Sequence, residues 1–202
     1  MNDLYFIEKG FTKLGEDIYV YKNFLSDEEV SKMVGIFDVF RENKKYHKIF
    51  DGTHFENRIT EEIEDLSLLV NRIRDMFSKE YKTKNGLTVN VLSEGHSWGE
   101  HIDAHDFLEK REMSKLLKDG DPYEVIEDSR YGLVVYFNEV ESGGELFYTN
   151  QNITYSPKPG DLVVHSAEEI CRHGVKEVTK GYRYSYSNFL GVDMKVPLNM
   201  PL

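Results

Sequence analysis

Cysteine is almost missing from this chain: Cys171 stands alone among 202 residues. An internal disulfide framework, a cysteine-built zinc site and an iron–sulfur cluster are therefore excluded. Long apolar runs are missing too. None approaches the roughly 20 residues that a membrane-spanning helix needs, so no membrane association is expected. Proline is sparse, at 5 residues, and no Pro/Gly-rich linker or internal repeat divides the chain. The opening MNDLYFIEKGFTKLGED lacks a basic start and a long apolar stretch, so it is not expected to act as a signal peptide. Positive charge is short as well: 25 Lys+Arg face 36 Asp+Glu, a net charge of −11. Such a surface repels phosphate backbones and anionic lipid, which argues against a nucleic-acid partner. What is present is apolar mass, 40% of the residues, enough for one proper core. A soluble, cytoplasmic, single-domain protein over 1–202 is expected, with its oligomeric state left open.

The two halves of the chain differ in pattern. IYVYKNFL at 18–25 predicts a strand. Ser26-Asp27-Glu28-Glu29 then has the Ser-x-x-Glu form of a capping box and predicts a helix over 27–40. From Thr60 to Lys82, apolar residues recur at Ile63, Leu66, Leu69/Val70, Ile73, Met76/Phe77 and Tyr81, the spacing of an amphipathic helix. The polar and aromatic stretch between them, 41–59, reads as a mobile loop. After Asn85-Gly86 come short segments rich in Val, Tyr, Leu and Phe: LTVNVL, WGEHIDA, YGLVVYFN, ELFYT, ITYS, DLVVHS, HGVKEV and YRYSYSNFL. Turn chemistry at Gly143-Gly144, Pro157-Lys158-Pro159-Gly160 and Lys180-Gly181 separates several of them. Eight short strands predict a mainly β protein with flanking helices: a double-stranded β-helix, or jelly roll, supported by about two N-terminal helices. The expected layout is a strand and supporting helices in 1–85, the jelly-roll core in 86–191 and a tail in 192–202. The segment Asp106 to Arg130 is charged and long, and reads as a functional or disordered loop.

The chemistry begins at EGHSWGEHIDAHD. On a strand, His101 and Asp103 at i and i+2 share one face. Alone they fit a solvated pair just as well. His173 on a later strand adds a second imidazole, and Arg183 and Ser185 follow it at ten and twelve residues. Two imidazoles and one carboxylate on one face of a divalent metal leave three positions open, the ligand set of non-haem Fe(II) oxygenases. A 2-oxo acid and dioxygen fill those positions. The far carboxylate of such an acid calls for a buried cation, and a guanidinium grips it through two parallel hydrogen bonds. Arg183 and Ser185 share a face of a strand expected to lie next to the one carrying His173.

Several segments then form a recognisable set. Gly95 and Trp98 stand six and three residues before His101, and VVYFNEVESGGELFY, SPKPGDLVVHS and HGVKEVTKGYRYSYSNF follow, with YVYKNFLSDEEV upstream. Over 86–191 the chain resembles the Fe(II)/2-oxoglutarate-dependent dioxygenase superfamily, in its prolyl 4-hydroxylase-like branch. The resemblance implies that His101, Asp103 and His173 are the iron ligands and so the catalytic residues, and that Arg183, with Ser185, binds the C5 carboxylate of 2-oxoglutarate. Leu92 stands where the branch often has a co-substrate tyrosine, and Asn90, on the same strand face, takes over a polar contact. The implied cofactors are Fe(II), 2-oxoglutarate as co-substrate and O2, with ascorbate as a candidate reductant. The implied reaction hydroxylates an unactivated C–H, on a prolyl residue of a peptide or protein. A free amino acid or small metabolite is the alternative substrate, and a non-catalytic jelly-roll binding module the alternative class. Trp98, in place of the branch's tyrosine, either packs on a substrate proline ring or belongs to the core. Arg130 stands near a substrate-facing arginine of the branch but one residue out of register, which on a strand is the other face. His165 reads as core packing or as support behind the metal. His105 and Asp106 adjoin the motif but are not expected to be ligands, and His47 and His54 belong to the loop or line a substrate groove.

Overall fold

The structure is a computed structural model that describes residues 3–42, 47–49, 52–55, 64–77, 81–83, 88–104 and 123–197. The N-terminal part holds α1 (Asp3–Glu8), β1 (Thr12–Gly15), β2 (Ile18–Tyr21), α2 (Asp27–Glu42), β3 (His47–Ile49), β4 (Gly52–Phe55) and α3 (Glu64–Phe77). The capping box at the start of α2 forms as its sequence predicts. The Glu29 N–H donates to Ser26 Oγ at 3.3 Å, and the Ser26 N–H donates to Glu29 Oε2 at 2.8 Å. Asp27, Glu28 and Glu29 place negative charge at the positive end of the helix.

The rest is strand. β5 (Lys82–Thr83), β6 (Thr88–Ser93) and β7 (Trp98–His101) precede the long β8 (Tyr123–Tyr136). Then come β9 (Ser142–Gly143), β10 (Leu146–Tyr148), β11 (Ile153–Tyr155), β12 (Leu162–Ser166), β13 (His173–Val175), β14 (Val178–Lys180) and β15 (Tyr182–Pro197). A large antiparallel sheet runs β1-β2-β12-β8-β15-β6-β4-β3, with β5 added against β15. A smaller sheet runs β11-β10-β13-β7, and β9 pairs with β14. This is the double-sheet jelly roll with helices on its outside.

Period-two alternation puts the large sheet between two environments. Tyr131, Leu133 and Val135 of β8, Leu162 and Val164 of β12, and Tyr184 and Tyr186 of β15 pack with Phe37 of α2 and Leu66, Ile73 and Phe77 of α3. Each such fully buried side chain contributes about 1.5–3 kcal/mol relative to exposure. The residues between them, Gly132, Val134, His165, Arg183 and Ser185, face the smaller sheet and line a cavity. The start of β12 is fixed by Asp161. Its buried carboxylate accepts from the Lys158 N–H at 2.9 Å, the Tyr155 O–H at 2.5 Å and Lys22 Nζ at 2.9 Å.

Four expectations change. Within 41–59, a hairpin replaces the predicted loop: β3 pairs with β4, and β4 adds to the large sheet beside β6. The predicted helix over Thr60 to Lys82 covers Glu64–Phe77, and Lys82 instead pairs as strand with Gly191. Tyr123 to Arg130, expected in a loop, belongs to β8, while 105–122 lie outside the described residues. Val192 to Pro197, expected as the start of a tail, continue β15 and pair with Tyr123 to Asp128. Tyr123 to Arg130 is half charged and Val192 to Pro197 is short and mixed, so neither stands out in composition as a strand. They are strand because each provides the other's backbone hydrogen bonds.

Candidate metal centre

His101 ends β7, Asp103 lies in the bend just beyond it, and His173 opens β13, where its Cα partner across the pair is His101. The register of two neighbouring strands thus brings together residues 72 positions apart. One ligand atom from each of His101, Asp103 and His173 lies within 4.8 Å of the others. The two imidazole centroids are 4.4 Å apart.

Backbone carbonyls set both tautomers. His101 Nδ1 is 2.8 Å from the Gly99 carbonyl, and His173 Nδ1 is 2.9 Å from the Cys171 carbonyl. A carbonyl only accepts, so each Nδ1 carries the proton and each Nε2 keeps a lone pair for a metal. Burial, with His165 alongside, pushes the His173 imidazole down to about 3, so it is held in its neutral, ligating form. Burial alone would raise Asp103, but the His101 and His165 imidazoles beside it overcome that and hold the carboxyl well below the usual range. Burial also works against charge on His101, yet the Asp103 carboxylate and the Gly99 carbonyl raise it on balance.

The cavity beside these residues has a volume of about 270 Å³ and draws its lining from both sheets. Its floor is Arg183, buried, whose Nη1 donates to Ser185 Oγ at 3.0 Å. The guanidinium sits over the Tyr136 ring, 4.9 Å from the centroid. Arg183 Nε and the Tyr136 hydroxyl are both buried and find no hydrogen-bond partner among the described residues. Among the described residues, no ion pair joins Arg183 to a carboxylate. Leaving a cation and a hydroxyl unpaired in the interior is unfavourable, and an anionic oxygen entering between them would satisfy both. Two imidazoles, each with its Nδ1 held by a backbone carbonyl, and one ionised carboxylate form a donor set that suits divalent iron, and the floor suits the distal carboxylate of a 2-oxo acid.

Seven of the eight candidate residues line this one cavity: His101, Asp103, His173, Arg183, Ser185, Asn90 and Trp98. Arg183 and Ser185 reach it differently than expected. They stand on β15 of the large sheet and face β13 across the cavity, because β14 carries the chain from one sheet to the other. Asn90 is the Cα partner of Ser185, and its amide donates to Ser187 Oγ at 3.1 Å. Trp98 is half-buried on the wall, its ring 6.4 Å from His101. Arg130 does not join them. It is exposed, at an irregularity where Leu190 pairs with Tyr131 but Gly191 pairs with Ser129. His105 and Asp106 lie outside the described residues, and His47 and His54 are Cα partners in the hairpin.

Two further residues belong to the site. Tyr136 was hidden inside the apolar-looking YGLVVYFN, although it stands four residues from Gly132 and so on the same strand face. His165 is buried, with Nε2 3.0 Å from Asp103 Oδ2 and Nδ1 2.8 Å from the Tyr148 hydroxyl. Alternation along DLVVHS was the available signal, since it separates Val163 and His165 from Leu162 and Val164.

The family model described as the 2OG-Fe(II) oxygenase superfamily matches residues 87–191. No curated protein matches the chain. Among solved structures, the viral collagen prolyl hydroxylase of Paramecium bursaria Chlorella virus-1, in its 2-oxoglutarate complex, has a TM-score of 0.64 at 16% identity, covering 88% of this chain and 97% of that one. A prolyl hydroxylase from Trichoplax adhaerens, bound to a peptide fragment of a hypoxia inducible factor, gives 0.66 at 14% identity, covering 87% and 83%. A Pseudomonas putida prolyl-4-hydroxylase gives 0.62 at 14% identity, covering 87% and 92%. These are likenesses of fold.

Proposed function

The chain belongs to the 2OG-Fe(II) oxygenase superfamily, an oxidoreductase family that uses Fe(II), 2-oxoglutarate and O2, and from that premise we propose that it hydroxylates a prolyl residue in a peptide or protein. The observation that carries this reading is the convergence of the three ligand atoms within 4.8 Å beside buried Arg183, which pairs with no carboxylate among the described residues, in the same cavity. His101, Asp103 and His173 hold the iron. Arg183, Ser185 and the Tyr136 hydroxyl bind the C5 carboxylate of 2-oxoglutarate, and Leu92, Val134, Leu146 and Val175 keep that space apolar and dry. When bound, the iron with its co-substrate and dioxygen supplies the oxidising power that replaces C–H by C–OH. Trp98 on the wall offers an aromatic face to a pyrrolidine ring. The prolyl hydroxylases of similar fold, one of them with a peptide bound, support a peptide substrate.

The test is incubation with Fe(II) and 2-oxoglutarate, with succinate measured, followed by mass analysis of a panel of proline-containing peptides. Succinate release that vanishes in His173→Ala, with a peptide gaining one oxygen at proline, is the expected result. Succinate release with no peptide modified would move the substrate to a free amino acid or small metabolite. No succinate from a folded, metal-loaded protein would overturn the enzymatic reading.

A further inference from the structure

His165 is almost wholly buried, at 1% exposure, and makes two hydrogen bonds that run in one direction. A carboxylate only accepts, so the 3.0 Å contact with Asp103 Oδ2 fixes the proton on His165 Nε2. In the neutral imidazole Nδ1 then accepts, and the Tyr148 O–H donates to it at 2.8 Å. Tyr148 thereby sets the tautomer of His165, and His165 occupies one oxygen of Asp103. The other, Oδ1, lies on the side of His101 Nε2, 3.5 Å away.

The backbone has made room for this contact. Gly132 is the Cα partner of His165 across the β12–β8 pair. A Cβ at position 132 would collide with Asp103 Oδ2 and stand 2.7 Å from His165 Nε2. Glycine here reflects no unusual backbone angle, for Gly132 is not among the residues with positive φ. The volume that any other residue would fill holds the carboxylate and the imidazole instead.

Resting on the metal-centre reading above, we infer that His165 is a positioning residue that reserves Asp103 Oδ2 and leaves Oδ1 alone for the metal. The count of coordination positions gives this its consequence. Three protein ligands leave three positions, which a chelating 2-oxo acid and dioxygen fill completely. A carboxylate free to bind through both oxygens would take one of them. Tyr148, His165 and Gly132 together hold Asp103 to single-oxygen ligation and keep the third position open. A partner of this kind behind a ligand is typically worth about 10–100-fold in metal affinity or activity.

The test uses Co(II) as a spectroscopic stand-in, titrated into the metal-free full chain and followed by its d–d absorption, with the melting temperature of each metal-free variant measured alongside. His165→Leu, which removes the donor, is expected to weaken Co(II) binding by about 10–100-fold and to change the d–d spectrum. His165→Gln, which keeps an N–H within reach of Oδ2, recovers most of the affinity and the spectrum. Gly132→Ala weakens binding like His165→Leu although His165 is intact, and carries the test if the leucine variant does not fold. Wild-type affinity and spectrum in His165→Leu, or a glutamine variant no better than leucine, would overturn the inference and leave His165 a packing residue that moves only the melting temperature. Failure of the wild type to bind Co(II), or binding that survives His173→Ala, would instead sink the metal-centre reading itself.

Discussion

The two faces of the large sheet are built from alternate residues of the same strands, yet they are different materials. Toward the helices stand Tyr131, Leu133 and Val135, then Leu162 and Val164, then Tyr184 and Tyr186, closed over by Phe37, Ile73 and Phe77. Toward the smaller sheet, the residues in between are Gly132, Val134 and Tyr136, then His165, then Arg183 and Ser185. On the first face apolar surfaces meet and satisfy one another. On the second, Arg183 Nε and the Tyr136 hydroxyl remain without partners. The helix face supplies stability, and the cavity face holds polar groups in readiness for a ligand, at some expense of that stability. A period of two lets one strand do both.

Substitutions on the cavity face should therefore change binding and spare stability, and those on the helix face should do the reverse. The largest effect is expected from Arg183→Leu. Loss of one partner of a buried charge pair costs roughly 2–5 kcal/mol, so the KM for 2-oxoglutarate in the succinate assay should rise by about 30-fold or more. Co(II) binding should be unchanged, because Arg183 is not a ligand. The metal-free protein should melt at the same or a higher temperature, since an unpaired interior cation is removed. Arg183→Lys should recover only part of the KM, lacking the planar fork. A fall in stability with KM unchanged would reverse the roles given to the two faces.

The matching change on the other face is Phe77→Ala. Phe77 is wholly buried among Phe6, Phe11 and the strand residues, and its truncation should cost about 3–5 kcal/mol in denaturant unfolding. The fraction that remains folded should keep the wild-type KM. A smaller loss is expected from Ser26→Ala at the exposed start of α2, about 1 kcal/mol in the same measurement. Glu29 also pairs with Arg72 of α3 at 2.9 Å, so α2 keeps that second attachment when its cap is lost.

What the sequence disclosed follows the same division. Where apolar periodicity decides structure, it was legible: α2, α3 and the strands of the jelly roll stand in the segments that carry the pattern. His101, Asp103 and His173 were legible because three metal-ligating residue types in ordered strands form a pattern by themselves. The hairpin β3–β4 and the paired segments 123–128 and 192–197 were not. Their pairing partners are polar or distant, and backbone hydrogen bonds leave no mark on composition. Nor was the sheet crossing legible that sets Arg183 opposite His173 instead of beside it. Tyr136 was concealed by apolar neighbours, and His165 was visible but stood between packing and support, because a single polar residue in a buried strand looks the same in either role.

Tyr136→Phe draws the finest line between the two faces. On the helix face, removing a hydroxyl that has a partner breaks a hydrogen bond: Tyr184, for example, donates to Asp38 at 2.6 Å. The Tyr136 hydroxyl has no partner among the described residues, so its removal should leave the metal-free protein as stable or slightly more so, the desolvation of an unpaired group being relieved. Its use begins when a carboxylate enters. Burial raises Tyr136 above its ordinary value, so it arrives as a donor and not as a phenolate that would repel the anion. One hydrogen bond to a charged group is worth about 1.5–3 kcal/mol, and part of it returns through water once the ring edge is vacated. The KM for 2-oxoglutarate should therefore rise by about tenfold, less than for Arg183→Leu, with melting temperature and Co(II) affinity unchanged. Tyr184→Phe should do the opposite, lowering the melting temperature and sparing the KM. If both tyrosine variants moved the same quantity, the two faces would not be distinct in kind.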